Sequence, residues 1–138
     1  FRSLPTTKSF KKHKDMKTGL SHTSSTVVEM GKNTAVAMGS GDMEVFATPS
    51  LAALMENAAM MAVAGELPEG STTVGARLDI SHLKPTAPGD TVHATAILTE
   101  ADGRKLTFTL TAEDNRGVIG EGTHVRYIVE RERFLSKL

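Results

Sequence analysis

The stretch TPSLAALMENAAMMAVAG, residues 48–65, decides the fold of this chain because it reads as a helix that is apolar on almost every side. Alanine, leucine and methionine predominate, and these residue types favour helix. Thr48 suits the N-cap, Pro49 suits the first helical position and Gly65 suits the stop. Since the apolar residues surround the axis instead of forming one stripe, we predict a buried helix that other elements wrap.

The sequence after Ser71 reads as a series of strands joined by short turns. The strand segments are TTVGARLDISHL, DTVHATAILTE, KLTFTLTAED and GVIGEGTHVRYIVER. Their connections, PTAPGD, ADGR and DNRG, hold the proline, glycine, asparagine and aspartate that tight turns require. Short connections indicate antiparallel neighbours, and the apolar–threonine alternation in KLTFTLTAED predicts a sheet with one apolar face. Ahead of the helix, STVVEM and NTAVAM read as short strands or an extended entry.

A buried helix followed by long antiparallel strands predicts an α+β domain of the hot-dog type, in which an antiparallel β-sheet wraps around a central α-helix. A lone curved sheet leaves strand edges and one face to cover, so we expect a homodimer. The 138 residues suit one domain, which we place at residues 16–138. Residues 1–15 lack an initiator methionine and are basic, and we interpret them as a disordered tail or a segment added outside the native chain.

Composition excludes several classes of function. The chain has no cysteine, which excludes disulfides, thiolate nucleophiles and cysteine zinc sites, and redox chemistry is not expected. Its formal charge is zero, but the basic tail leaves residues 16–138 acidic, which argues against nucleic-acid binding. No apolar run approaches the ~20 residues that cross a bilayer, so we expect no membrane association and a cytoplasmic protein.

Glu56 and His82 are the first candidates for catalysis. Glu56 lies in the middle of the apolar helix, where an ionised carboxylate must be paired or hydrogen-bonded. Strand alternation places His82 on the inward row with Val74 and Ile80, and Gly75 on the opposite face. A core-facing imidazole and a helix carboxylate would form a coupled acid–base pair. The structural alternatives are a partly exposed Glu56 at a dimer edge and a core His82 bonded to a backbone carbonyl.

Thr48 is the third candidate, because its hydroxyl lies near the N–H groups and positive dipole end of the helix start, where negative charge is favoured. The N-cap role is compatible with this one. Eight residues place Thr48 and Glu56 roughly 80° apart around the axis and about 12 Å apart along it, so they cannot touch unaided. Arg126 either lines a pocket or forms a surface ion pair, and His93 is expected to be exposed. The sequence holds no metal-ligand motif, phosphate-binding glycine loop or GxSxG elbow, so no metal site is expected.

The stretches EVFATPSLAALMENAA, GARLDISHLKPTAPGDTV and GEGTHVRYIV resemble, in order and spacing, the fluoroacetyl-CoA thioesterase family of hot-dog proteins. The resemblance covers most of residues 22–132. It implies a hydrolase that cleaves a short or medium acyl-CoA thioester. A threonine, a glutamate and a histidine form the family's catalytic set, which the resemblance places on Thr48, Glu56 and His82.

The resemblance also implies how substrate is held. The backbone N–H of Gly75 would help to hold the thioester carbonyl or acyl end, Arg126 would reach the pocket, and coenzyme A would lie across or beside a dimer interface. Coenzyme A is then part of the substrate and no cofactor is expected. One departure concerns specificity. The fluoroacetyl enzymes have an aromatic-containing lid segment before the helix, whereas this chain has the short, glycine-rich segment MGSGDM there and no phenylalanine in it ahead of Phe46. Fluoroacetate specificity is therefore not carried over.

Sequence leaves the details of mechanism open. His82 would act as general base and acid, Glu56 would orient it or attack the carbonyl, and Thr48 would be nucleophile or hydrogen-bond donor. The sequence does not distinguish an acyl-enzyme from direct attack by water, since both routes need the same residue types. One alternative is a hydratase or dehydratase of enoyl or 3-hydroxyacyl thioesters, but Asp79 and His82 differ by three in a strand and point to opposite faces. The other is a module that binds acyl-CoA without catalysis.

Overall fold

The computed structural model describes residues 16–138, and the tail proposed at 1–15 lies outside the described residues. The elements in chain order are β1 (Ser21–Val27), α1 (Ala35–Met38), α2 (Thr48–Ala64), β2 (Ser71–His82), β3 (Thr91–Asp102), β4 (Lys105–Asp114), β5 (Gly117–Glu130) and α3 (Arg131–Leu135). Within this range no helix is long and apolar enough to span a membrane.

All the strands belong to one antiparallel sheet with the order β1-β3-β4-β5-β2. Strand β4 lies at its centre, and the predicted apolar row is buried: Leu106, Phe108, Leu110 and Ala112. The antiparallel strands are confirmed, but the expectation that β2 and β3 are neighbours is wrong. Strand β2 pairs with β5 instead, so the PTAPGD connection crosses between distant strands of the sheet. The buried Thr86 hydroxyl fixes this crossing by donating to the Asp114 carboxylate at 2.7 Å.

Helix α2 packs across the sheet and contacts β1, β2, β3 and β4. Its buried residues are Leu51, Met55, Ala58, Ala59 and Val63, which form the core with the inward rows of the strands. The prediction of burial on all sides is wrong for the single chain, because Ala53 and Met61 are exposed. The helix therefore keeps one largely apolar face that this chain does not cover.

The segment NTAVAM, read from sequence as strand or extended chain, contains the short helix α1 instead. Local chemistry explains the difference: the Thr34 hydroxyl accepts a hydrogen bond from the Ala37 N–H at 3.3 Å, which caps the first turn. Gly39 then adopts φ 69°, a left-handed conformation that suits glycine, and ends the helix. The preceding segment STVVEM contributes to β1, which begins earlier, at Ser21.

Candidate active site

Thr48 and His82 meet where the first turn of α2 reaches the end of β2. The Thr48 Oγ1 atom lies 2.8 Å from His82 Nδ1. The N-cap of α2 is Ala47, so the N-cap assignment of Thr48 is wrong by one residue. Because Thr48 is the first helical residue and its side chain does not cap the helix, its hydroxyl is available to the imidazole.

The backbone ahead of α2 holds Thr48 in place. The Phe46 N–H donates to the Thr86 carbonyl, and the Ala47 N–H donates to the Asn33 carbonyl, each at 2.9 Å. Phe46 and Ala47 are also buried in the core. Two hydrogen bonds and two buried side chains therefore fix the residues immediately before Thr48, which is the support that a reactive hydroxyl requires.

Burial favours the neutral form of His82, and one of its ring nitrogens has no hydrogen-bond partner within residues 16–138. Burial lowers the pKa of His82, and the nearby backbone of Lys84 opposes this shift in part. Among the described residues, its Nε2 atom is buried without a hydrogen-bond partner. When Nδ1 accepts a hydrogen bond from the Thr48 hydroxyl, the neutral ring carries its own hydrogen on Nε2. A buried donor of this kind is costly unless an acceptor reaches it. Among residues 16–138, Nε2 thus has no acceptor in hydrogen-bonding geometry.

A cavity of about 250 Å³ opens beside the Thr48–His82 contact. Apolar side chains form much of its wall: Ala35, Val45, Phe46, Leu83 and Pro85. A cavity with a reactive hydroxyl and imidazole on one side and apolar groups on the other suits the acyl part of a thioester.

Glu56 does not join Thr48 and His82 within the chain. It lines a second, open cavity of about 440 Å³, together with Thr73, Val74, Gly75 and Arg126. Across residues 16–138, no hydrogen bond joins the Glu56 carboxylate to His82. The structure therefore brings two of the three predicted catalytic side chains together and leaves the third at another cavity.

A β-bulge in β2 explains why Gly75 lies next to Glu56. The register with β5 pairs Gly75 with Arg126 and then Arg77 with Val125, so Ala76 is an extra residue. A Cβ added to Gly75 would lie 3.0 Å from Glu56 Oε2, which shows that this position faces the helix. The prediction that Gly75 and His82 lie on opposite faces is wrong, because simple alternation assumes a regular strand. Glycine inside a strand was the sequence signal for a bulge.

Arg126 lines the pocket and does not form a surface ion pair. Its guanidinium is buried and donates from Nε to the Thr73 hydroxyl at 2.8 Å and from Nη2 to the Thr73 carbonyl at 3.0 Å. A third bond runs from Nη1 to His124 Nε2 at 3.1 Å. Burial lowers the pKa of Arg126, and the nearby Glu56 carboxylate raises it. Sequence assigned no role to His124, although its spacing of two from Arg126 places both on one strand face.

Two further sequence expectations concern residues away from this cluster. His93 is exposed, as predicted, and its Nδ1 lies 2.6 Å from the Ser25 hydroxyl. Asp79 is exposed on the face of β2 opposite His82, so the two do not pair. In the described part of the chain, no group of three or more histidine or acidic side chains has the arrangement of a metal site.

Comparison with known proteins places these features in context. The profile of fluoroacetyl-CoA-specific thioesterases matches residues 28–132. The fluoroacetyl-CoA thioesterase of Streptantibioticus cattleyicolor is 39% identical over 95 residues, which cover 69% of this chain and 68% of that protein. A crystal structure of a variant of the fluoroacetyl-CoA-specific thioesterase FlK is similar with a TM-score of 0.82 and 34% identity, covering 91% of this chain and 96% of that one. A hot-dog-like protein from Thermanaerovibrio acidaminovorans has a TM-score of 0.80 at 23% identity, covering 88% and 90%, and this confirms the predicted fold.

Proposed function

Because the chain belongs to the fluoroacetyl-CoA-specific thioesterase family, we propose that it is an acyl-CoA thioesterase acting on a short or medium acyl chain. The observation that carries the proposal is the 2.8 Å contact between Thr48 and His82 beside an apolar cavity. Water cleaves the thioester to a carboxylic acid and free coenzyme A, so coenzyme A is part of the substrate and no cofactor takes part. Asp79 is exposed on the other face of β2, which disfavours a hydratase that would pair it with His82.

His82 is proposed as the general base and acid. Its lowered pKa keeps the imidazole neutral near pH 7, so Nδ1 can accept the proton of the Thr48 hydroxyl or of a water molecule in its place. The oxygen attacks the thioester carbonyl, the C–S bond breaks, and the imidazolium returns the proton to the departing thiolate. If Thr48 is the nucleophile, a second round with water releases the acid from an acyl-threonine.

Glu56, Gly75 and Arg126 are proposed to complete the site from the second cavity. A glycine backbone and a buried guanidinium offer N–H donors to a carbonyl oxygen or acyl group, and the carboxylate offers an acceptor for His82. These three groups lie together at one cavity. In a single chain, however, they remain apart from Thr48 and His82.

A homodimer would unite the two halves. Strand β2 is at the edge of the sheet and carries Gly75 in its first half and His82 at its end. A second copy of β2, pairing antiparallel along the open edge about a two-fold axis, runs in the opposite direction and brings the partner's Glu56 cavity toward this His82. The buried Nε2–H would then gain a carboxylate acceptor, and the uncovered face of α2 would gain neighbours.

Mixing two inactive variants tests this arrangement. Glu56→Gln and His82→Ala should each abolish thiol release from a panel of acyl-CoA thioesters. When the two variants are unfolded together and refolded, half of the dimers combine one chain of each kind. Each such dimer has one site with an intact His82 and an intact Glu56, so activity should return to about one quarter of the wild-type value.

The outcomes separate the parts of the proposal. A mixture as inactive as its components would mean that one chain supplies every catalytic group. Variants that retain wild-type hydrolysis would show that the catalytic assignment is wrong. Wild-type protein that binds acyl-CoA without releasing thiol would be a binding module, and loss of crotonyl-CoA absorbance without free thiol would indicate a hydratase.

A further inference from the structure

His124 on β5 is a buried titratable side chain to which the proposed mechanism gives no role. Its ring is 1% exposed and packs near Phe108, with ring centroids 6.3 Å apart. The Nδ1 atom lies 2.7 Å from the backbone carbonyl oxygen of Arg77, and Nε2 lies 3.1 Å from Arg126 Nη1. Both ring nitrogens are therefore engaged, and neither can contact a substrate.

These two bonds fix the tautomer and the charge of the ring. A carbonyl only accepts, so Nδ1 carries the hydrogen, and a guanidinium only donates, so Nε2 must offer its lone pair. A protonated ring would lose that acceptor and place a second positive charge beside Arg126. Burial lowers the pKa of His124 most, Arg126 lowers it further, and the Arg77 carbonyl and the Glu56 carboxylate raise it.

The neutral ring connects two walls of the Glu56 cavity. On one side Arg77 directly follows the extra residue of the β2 bulge, and on the other side Arg126 lines the cavity. A Cβ placed on Gly75 would lie 3.3 Å from His124 Cε1 and 3.4 Å from Arg126 Nη1. His124 therefore sets the spacing between the glycine backbone and the guanidinium.

We propose that neutral His124 is a positioning residue for thioester hydrolysis, which holds Arg126 and the bulge beside Gly75 at the separation that the substrate requires. The proposal rests on the proposed function, in which Gly75 and Arg126 contact the carbonyl or acyl group. Protonation of His124 would release Arg126 from the ring. Within residues 16–138, the charged groups that act on the ring are Glu56 from α2 and Arg126 from β5.

Two substitutions divide the roles of the ring. His124→Gln keeps an acceptor for Arg126 and loses the bond to Arg77, whereas His124→Asn keeps a donor for the Arg77 carbonyl and loses the acceptor. Since a misplacement of 1 Å can reduce rate about 100-fold, we expect each to lower kcat/KM by roughly 10- to 100-fold. His93→Gln, at the exposed histidine on the other side of the sheet, is the matched control and should leave kcat/KM unchanged.

The pH profile separates positioning from a merely structural role. Wild-type protein is fully active only when both His82 and His124 are neutral, so the logarithm of kcat/KM should fall in acid with a slope above one, toward two, over the pH range in which both rings titrate. In His124→Gln and His124→Asn only His82 remains, and the slope should become about one. Unchanged kcat/KM and an unchanged slope would overturn the proposal. Wild-type protein without any thiol release would instead defeat the proposed function, and the two failures are therefore distinct.

Spectroscopy provides a readout that does not depend on turnover or on the folding of variants. In the ¹⁵N-labelled wild-type protein at neutral pH, long-range ¹H–¹⁵N spectra should show His124 with its hydrogen on Nδ1 and a bare Nε2. The Nε–H of Arg126 should exchange slowly with solvent, and its protection should decrease as His124 titrates. A hydrogen on Nε2, or protection of Arg126 that is insensitive to the titration, would overturn the arrangement.

Discussion

Replacing Gly75 by alanine tests how closely the second cavity is fitted. The backbone of Gly75 is not among the glycines with positive φ, so alanine can adopt its conformation. The added Cβ would lie 3.0 Å from Glu56 Oε2, 3.3 Å from His124 Cε1 and 3.4 Å from Arg126 Nη1. Since His124 and Arg126 are held by hydrogen bonds, the Glu56 carboxylate is the group that must move.

The distances give the size of the effect. Ordinary contact begins near 3.4 Å, so the Glu56 oxygen must retreat by about 0.4 Å. If a displacement of 1 Å reduces rate about 100-fold, one of 0.4 Å corresponds to roughly six-fold in kcat/KM. Overpacking of about 1 kcal/mol is offset by a similar entropic gain from Gly→Ala, so the free energy of unfolding should change little.

The assay combines thiol release with urea unfolding, and Gly65→Ala is the matched control. Gly65 ends α2 at φ −73°, and no atom lies within 4 Å of the position that an alanine Cβ would take there. Alanine at this position should therefore keep full activity and stabilise the protein slightly. A Gly75→Ala protein with wild-type kcat/KM would refute the idea that Glu56 is closely positioned. A general loss of stability would assign the effect to folding instead.

Two further predictions concern stability. Gly122→Ala should lower the free energy of unfolding by about 3 kcal/mol or more, since the added Cβ would clash with the backbone oxygen of Asp79 and force β2 away from β5. An unchanged urea midpoint would contradict this. The free energy of unfolding should fall in acid. The pKa values of His82 and His124 are lower in the folded protein than in the unfolded chain, so the unfolded chain binds protons at a higher pH and is favoured as the pH falls. This contribution to stability is fully present above pH ~6.5 and is lost as pH falls through the folded-state pKa values. Urea titrations between neutral and acidic pH measure it, and a free energy of unfolding that does not change with pH would count against two buried neutral imidazoles.

Sequence predicted the elements whose cause is local. The segment KLTFTLTAED coincides with β4, Lys105–Asp114, because alternation and flanking turns are written in adjacent residues. The same local reasoning identified the α2 helix and its stop at Gly65. It misplaced the helix start by one residue, since proline and threonine suit neighbouring positions of a first turn.

The remaining errors concern contacts between distant residues. Alternation could not show the extra residue at Ala76, which turns Gly75 toward the helix, and short loops could not show that β2 pairs with β5 rather than β3. The contact between Thr48 and His82 depends on where β2 ends relative to the first turn of α2. Glu56 was singled out by its charge in an apolar helix, but its neighbours Gly75 and Arg126 are set by the bulge and by the pairing of β2 with β5.

The open edge of β2 has a consequence for how activity scales with the amount of protein. If the edge of one chain supplies His82 to a site that the partner's Glu56 completes, an isolated chain has no working site. Specific activity should then fall on dilution below the dissociation constant of the dimer and approach zero as monomers prevail. Such an enzyme would be inactive until its concentration exceeded the dissociation constant of the dimer. The rate of hydrolysis would then depend on the level of gene expression as well as on the substrate concentration.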